Sequence, residues 1–330
     1  AMGFDRVFDT DFTADLTIIE EGTELISRIQ GGGTLPMITS CSPGWIKFIE
    51  HFYPALLPHL STCKSPQQMF GALAKTYYAE KMNLRPEDIY VVSIMPCTAK
   101  KYECTRAEME SAQGVPDVDA VLTTREAAKM IREVGLDFAN LDNQDFDLPL
   151  GISTGAAVIF GATGGVMEAA LRTVYEILTK ETLANIDFTA VRGLEGVKEA
   201  TVQVGELPVK VAVANGLSNA RRLMDKVSSG EADYHFIEIM CCPGGCLGGG
   251  GQPIPTTEEI RKARMQAIYE EDASLPIRKS HENPAVKALY DEYLGEPLGH
   301  KSHKLLHTSY TPRSQYPETA DEEAVSILVE

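Results

Sequence analysis

The sequence predicts an α/β fold of two lobes, each a mostly parallel twisted sheet flanked by helices, with the functional site in the cleft between them. Three observations carry this. Short apolar runs rich in β-branched residues recur at Leu35 to Thr39, Ile89 to Ile94, Ala120 to Leu122, Val209 to Val213 and Phe236 to Met240, each followed by a turn or a helical pattern, which is the rhythm of βα units. A chain of 330 residues that is 44% hydrophobic can bury one large core or two smaller ones sharing a cleft. Finally, cysteines stand where strand patterns give way to turns, the strand ends at which open α/β folds gather their sites.

Helical periodicity appears over Asp15 to Arg28, Trp45 to Phe52, Pro66 to Met82, Arg125 to Val134, Val166 to Thr179, Asn215 to Val227, Thr257 to Glu270 and Ala285 to Leu294. Thr124 before Arg125, with Glu126 in the first turn, and Asn215 before Gly216 read as helix starts. The Gly-rich stretch Gly151 to Gly165 opens into the helix from Val166. These elements place a first lobe over 1–150 and a second lobe with C-terminal helices over 151–310. An extended tail rich in Pro, Thr, Ser and acidic residues is expected over 311–330, outside the core.

Lys and Arg number 30 against 47 Asp and Glu, a formal charge of −17, which opposes binding to phosphate backbones and anionic membranes. No apolar run reaches the length of a membrane span, and Ala1 to Phe4 lacks the pattern of a signal peptide. Seven cysteines, an odd number, with several adjacent or in tight turns, make a poor disulfide framework. They fit the reducing cytoplasm, where thiolates are free to act as ligands.

Cys41, Cys97, Cys242 and Cys246 each close an apolar strand pattern. The segments are Met37-Ile38-Thr39-Ser40-Cys41-Ser42-Pro43-Gly44-Trp45, Ile94-Met95-Pro96-Cys97-Thr98-Ala99-Lys100 and Ile239-Met240-Cys241-Cys242-Pro243-Gly244-Gly245-Cys246. Helix N-termini at such places supply amides that stabilise thiolates and cluster sulfides. A Cys-x-x-x-Cys pair enclosing two glycines lets backbone wrap a metal cluster, and Gly248 to Gly251 is expected to keep side chains off it. Zinc usually takes two paired knuckles, and with one pair here iron–sulfur is the better reading for Cys97, Cys242 and Cys246. Cys63 and Cys104 lie outside such turns and read as small packing residues.

At these residues the sequence resembles the catalytic domain of the iron-only, or [FeFe], hydrogenases, and most of all the catalytic subunits of soluble NAD(P)-linked hydrogenases. The likeness runs from Gly3 to about His307. Its motifs are Thr39-Ser40-Cys41-Ser42-Pro43-Gly44-Trp45, then Met95-Pro96-Cys97-x-x-Lys100-x-x-Glu103, then Glu238-x-Met240-x-Cys242-x-x-x-Cys246. The resemblance implies reversible H2 oxidation and proton reduction at an H-cluster, a [4Fe–4S] cubane joined through one cysteine to a two-iron centre bearing CO, CN⁻ and an azadithiolate.

By the same resemblance Cys97, Cys242 and Cys246 match cubane ligands, with Cys246 the bridge. Cys41 matches the proton-passing cysteine, and Glu21, Glu24 and Ser61 match the rest of that path. Lys100, Met95 and Met240 match surroundings of the two-iron centre, and Pro66, Gln67, Phe160, Glu103 and Glu238 match pocket and motif positions. The chain departs from the pattern at Ser42, where the family has the fourth cubane cysteine. Either Ser42 ligates iron as an alkoxide or Cys41 shifts to do so. Cys241 is a further thiol, an alternative ligand or a small packing residue.

The expected electron partner is ferredoxin or an NAD(P)H-oxidising flavoprotein subunit, because Gly161-Ala162-Thr163-Gly164-Gly165 lacks the order of a dinucleotide fingerprint. Maturation proteins would load the cofactor. An H2 sensor and a non-catalytic iron–sulfur assembly protein of the hydrogenase-like family are the competing readings. His281, His300, His303 and His307 read as helix caps and inter-lobe hydrogen bonds.

Overall fold

A computed structural model describes residues 1–112 and 114–314. It is a mixed α/β structure. In chain order the helices are α1 (Asp11–Gly31), α2 (Pro43–Phe52), α3 (Pro66–Leu73), α4 (Ala79–Met82), α5 (Lys100–Glu103), α6 (Thr124–Glu133), α7 (Gly155–Val158), α8 (Gly165–Thr179), α9 (Leu217–Ser229), α10 (Glu258–Ser274), α11 (Pro284–Leu289) and α12 (His300–Leu306). The strands are β1 (Met37–Ile38), β2 (Val92–Met95), β3 (Ala120–Thr123), β4 (Val197–Val204), β5 (Leu207–Asn215) and β6 (Phe236–Met240).

The larger sheet has the order β1-β6-β5-β4, and a second pairs β2 with β3 in parallel. β1 and β5 both run parallel to β6. The expected parallel pairings are therefore present. β4, which the reading of apolar runs passes over, adds an antiparallel edge through the two-residue turn Gly205-Glu206. Its alternation of polar and apolar residues marks a strand with one wet face, which a search for continuous apolar runs misses. Because β1 joins β4, β5 and β6, the larger sheet takes strands from both sides of residue 150.

Strand alternation sorts the core. Val209, Val211 and Val213 of β5, with Phe236 and Met240 of β6, face α8 and α1 in one cluster. Ala212, Ala214, Ile237 and Ile239 point the other way, onto Trp45 and Ile49 of α2 and Leu223 and Met224 of α9. A third cluster packs α11 and α12 against Phe12 and Leu16 of α1 and Met69 and Leu73 of α3. α1 thus runs between two clusters, and Glu20, Glu21 and Glu24 are buried on it. A solvated helix face, the ordinary reading of those glutamates, does not occur here.

α6 starts one residue earlier than the sequence suggests. Thr123 is its N-cap, and with Glu126 it forms a reciprocal capping box. The stretches expected as single helices at Pro66 to Met82 and Ala285 to Leu294 each contain a π segment, at Ala74–Tyr78 and Tyr290–Leu294. Of the tail, 315–330 lies outside the described residues. The chain is held at the start of the tail: Tyr310, just before it, donates to the Ser61 carbonyl at 3.0 Å, and Arg313 pairs with buried Glu50 at 2.7 Å.

Candidate iron–sulfur site

Parallel pairing of β1 with β6 sets the end of one strand beside the end of the other, so Thr39 to Ser42 runs alongside Ile239 to Cys242. Two contacts fix the register: the Ile239 amide donates to Thr39 Oγ1 at 3.1 Å, and the Cys241 amide to Ser42 Oγ at 3.3 Å. Pro43 and Gly44 then open α2, with Ser42 at its N-cap position.

Cys97 arrives from the other sheet, just beyond β2. Burial raises its thiol, an effect partly offset by the Lys100 ammonium and by the backbone amides of Lys100 and Ala99. The turn is seated on the Gly248–Gly251 run by backbone packing. Gly251 donates to the Pro96 carbonyl at 2.9 Å, and a Cβ on Gly249 would stand 2.2 Å from that same oxygen. A Cβ on Gly248 would stand 2.1 Å from the Pro243 carbonyl. These glycines therefore allow close backbone docking against the Cys97 turn and within the Cys242–Cys246 turn.

Glu238 faces the α8 side of β6 and accepts the Gly164 and Met167 amides at 2.7 and 2.8 Å, a carboxylate at a helix N-terminus. It fixes the Gly161–Gly165 segment, whose Thr163 amide in turn donates to the Gly244 carbonyl at 3.0 Å. Cys41, Phe160 and Met240 share one core cluster.

Lys100 reaches under the Cys41 turn, donating to the Cys41 carbonyl at 3.2 Å and to Glu103 Oε2 at 2.8 Å. Gln67 donates to Glu103 at 3.3 Å and accepts from Ser93 at 2.7 Å, and Ser65 donates to Glu103 at 2.9 Å. Cys41, Lys100, Glu103 and Gln67 are thereby brought together. Met95 ends β2, and Pro66 is the first residue of α3 with its carbonyl taken by the Thr13 hydroxyl at 2.8 Å.

Of the expected proton residues, Glu21, Ser61 and Glu24 are linked by hydrogen bonds, and Cys41 lies within electrostatic range of Glu21. Burial pushes the Cys41 thiol well up, and the Glu21 carboxylate adds to the effect. Burial also raises Glu21 to about 8, partly offset by a hydrogen bond from Ser61. Ser61 Oγ also lies 3.2 Å from Glu24 Oε2. Arg28, which the sequence reading missed, pairs with Glu24 at 2.6 Å and donates to the carbonyls of Thr34, Pro58, His59 and Leu60. The i, i+4 spacing of Glu24 and Arg28 was the available signal. A side branch runs from Glu24 through Thr62 Oγ1 at 3.1 Å to His307 Nδ1 at 2.7 Å, whose Nε2 lies 3.1 Å from Glu20. His281 bonds Glu176 and Thr173, and His303 stacks on His307, so these histidines act as structural hydrogen-bonding and packing groups.

The donor set fits an iron–sulfur cluster. Cys97, Cys241, Cys242 and Cys246 lie within electrostatic range of one another. Burial pushes Cys246 up to about 12, so without a cation to bind it this sulfur keeps its proton. Beside the Cys246 turn the Thr163 hydroxyl is buried without a hydrogen-bond partner. Cys63 is fully buried in the cluster of α1, α3, α11 and α12, and the Cys104 thiol bonds the Lys101 carbonyl.

Residues 1–250 match the family model described as iron only hydrogenase large subunit, C-terminal domain, and 258–313 match that of the iron hydrogenase small subunit. The chain is 56% identical over 321 residues to the NADP-reducing hydrogenase subunit HndD of Solidesulfovibrio fructosivorans, covering 95% of this chain and 54% of that protein. It is 47% identical over 314 residues to iron hydrogenase 1 of Clostridium pasteurianum, covering 94% and 54%. It thus spans about half the length of these curated relatives. At 30% identity it also resembles the cytosolic iron-sulfur assembly component 3 of Bos taurus, over 94% of this chain and 67% of that one. Among solved structures it is similar to an apo [FeFe]-hydrogenase variant from Chlamydomonas reinhardtii, with TM-score 0.83 and 44% identity, covering 94% of this chain and 86% of that chain.

Proposed function

The chain belongs to the iron-only hydrogenase family, and from that premise we propose that it is the catalytic part of an enzyme for reversible H2 oxidation and proton reduction. The observation that carries this reading is the buried line Cys41, Glu21, Ser61, Glu24 and Arg28, which begins beside the cysteine turns and leads outward along α1.

An H-cluster with CO, CN⁻ and azadithiolate ligands would supply the site at which H2 is split and the electrons are taken up. Cys97, Cys242 and Cys246 would hold its cubane, with Cys246 as the bridging thiolate. The rest of the task falls to the protein. The Cys41 thiol keeps its proton at neutral pH because burial raises it, so it can give that proton inward and be refilled from Glu21. Glu21, at about 8, is itself protonated near neutrality and is recharged from Glu24 through the Ser61 hydroxyl, the reverse order serving H2 oxidation. Lys100, held by Glu103, presents an ammonium that suits an anionic diatomic ligand, while Met240 and Phe160 exclude water. Met95, Pro66, Gln67 and Glu238 complete the walls or position them.

Ferredoxin or an NAD(P)H-linked flavoprotein subunit is the proposed electron partner, in keeping with the name of the NADP-reducing relative. The cytoplasm is the proposed location. No helix of the described residues is long and apolar enough to cross a membrane. The assembly-factor reading has support at lower identity, and it gives no use to the proton line. An infrared spectrum of the maturated protein tests the choice. CO and CN⁻ bands together with H2 turnover are expected, and a cubane-loaded protein without either would favour the assembly reading.

A further inference from the structure

A [4Fe–4S] cubane held by cysteine wants four thiolates, and three are accounted for by Cys97, Cys242 and Cys246. The chain offers four other thiols. Cys63 is fully buried in the cluster of α1, α3, α11 and α12, and Cys104 bonds the Lys101 carbonyl beyond α5. Cys41 has Glu21, Lys100, Cys246 and Glu238 as its charged neighbours, so it lies on the Glu21 side of the site. Cys241 is placed differently. Its thiol lies within electrostatic range of those of Cys242, Cys97 and Cys246.

Two further contacts show that this sulfur is accommodated by the fold. It rests on the first turn of α2 at Gly44, where a Cβ would come within 2.6 Å of the sulfur, so only glycine leaves it room. Next to it Ser42 Oγ accepts the Cys241 amide at 3.3 Å, which sets the serine and the cysteine side by side. The serine oxygen is thus engaged as an acceptor from neutral backbone, a poor start for an alkoxide ligand. A thiolate is also the softer and better partner for iron.

We propose that Cys241 is the fourth protein ligand of the cubane, beside Cys97, Cys242 and Cys246, and that Ser42 is not a ligand. This rests on the iron–sulfur part of the reading above and needs no two-iron centre. Each thiol gives its proton to solvent as it binds iron. Cys41 remains free of the cubane and available to the proton line.

The test uses the full chain reconstituted anaerobically with ferric iron, a thiol reductant and sulfide, reading iron and acid-labile sulfide per chain and the electron paramagnetic resonance of the reduced cluster. About four irons are expected in the parent protein. Cys241→Ala should lose at least about one of them and change the spectrum, while Ser42→Ala keeps both. Moving the thiol across the contact, in the double variant Ser42→Cys with Cys241→Ala, should restore iron and signal, which separates lost ligation from misfolding. Full iron and an unchanged spectrum in Cys241→Ala would overturn the assignment. So would iron loss in Ser42→Ala equal to that in Cys241→Ala, or a double variant that fails to recover. If infrared bands and H2 turnover are absent from the parent, the hydrogenase reading fails, and the iron measurements still decide the role of Cys241.

Discussion

Lys100 Nζ lies 2.8 Å from Glu103 Oε2 beneath the Cys41 turn, with both side chains at most 10% exposed. A buried pair is costly to break from one side, because the surviving charge is left without a partner. Glu103→Gln should therefore destabilise the protein by about 3–5 kcal/mol, seen as a lower midpoint in denaturant. Replacing both partners, Lys100→Met with Glu103→Leu, should cost clearly less. An equal loss in the double variant would mean that the pair is not the source.

Cys41→Ala should leave iron content at the parent level and reduce H2 turnover by about 100-fold or more, since a positioned proton donor contributes on that order. An iron-depleted Cys41→Ala protein would show instead that Cys41 is a cubane ligand.

Glu21 gives a pH test that needs no cofactor. Its folded value, about 8, stands above the ordinary 4.5, so in that window the native state holds a proton which the unfolded chain has released. The stability this carboxyl allows is complete below 4.5 and is lost as pH rises to about 8, at about 1.4 kcal/mol per unit. Relative to Glu21→Gln, the metal-free parent should be progressively less stable between about pH 5 and pH 8. A difference between the two proteins that stays flat across that range would contradict the burial of an ionisable Glu21.

Gly249→Ala should push the Pro96 carbonyl away, since its Cβ would sit 2.2 Å from that oxygen. The expected result is a loss of about 1–3 kcal/mol and reduced iron content, because the Cys97 turn moves with Pro96. Gly31→Ala, at the end of α1 with nothing near its Cβ, is the control and should change neither.

Cys104→Ala should leave iron content unaltered. Its thiol is held by the Lys101 carbonyl, outside the group formed by the other turns. Iron loss measured in that variant would reassign it.

How much of this was legible follows the physics of each signal. The parallel strands were visible because both faces are largely buried, which gives β5 and β6 apolar runs interrupted only at Lys210 and Glu238, whereas β4 escaped because its residues alternate between buried and exposed. The cysteine turns were legible from Gly and Cys spacing. Glu21 and Glu24 needed the motif resemblance, because a glutamate on a helix carries no mark of burial until α8, α11 and α12 are packed around it. The carbonyl contacts of Arg28 and the Thr62 to His307 branch depend on contacts across distant segments, with Thr62 and His307 245 positions apart, and no local pattern announces them. The proximity of Cys241 to Ser42 is of the same kind.

The pairing of β1 with β6 has a consequence for how the protein comes into being. Ile239 and Thr39 meet across 200 positions of chain, and closing so long a loop is an entropic cost met before the contact gives anything back. Such non-local parallel pairing forms slowly. On the ribosome, the turn bearing Cys41 must wait for the residues of β6 to emerge before any two of the three turns adjoin along the sheet. Iron delivered to the nascent chain would find single, separated thiols. A cluster held by all of them can be installed only in a polypeptide whose larger sheet has already closed, which makes folding the gate for metal loading.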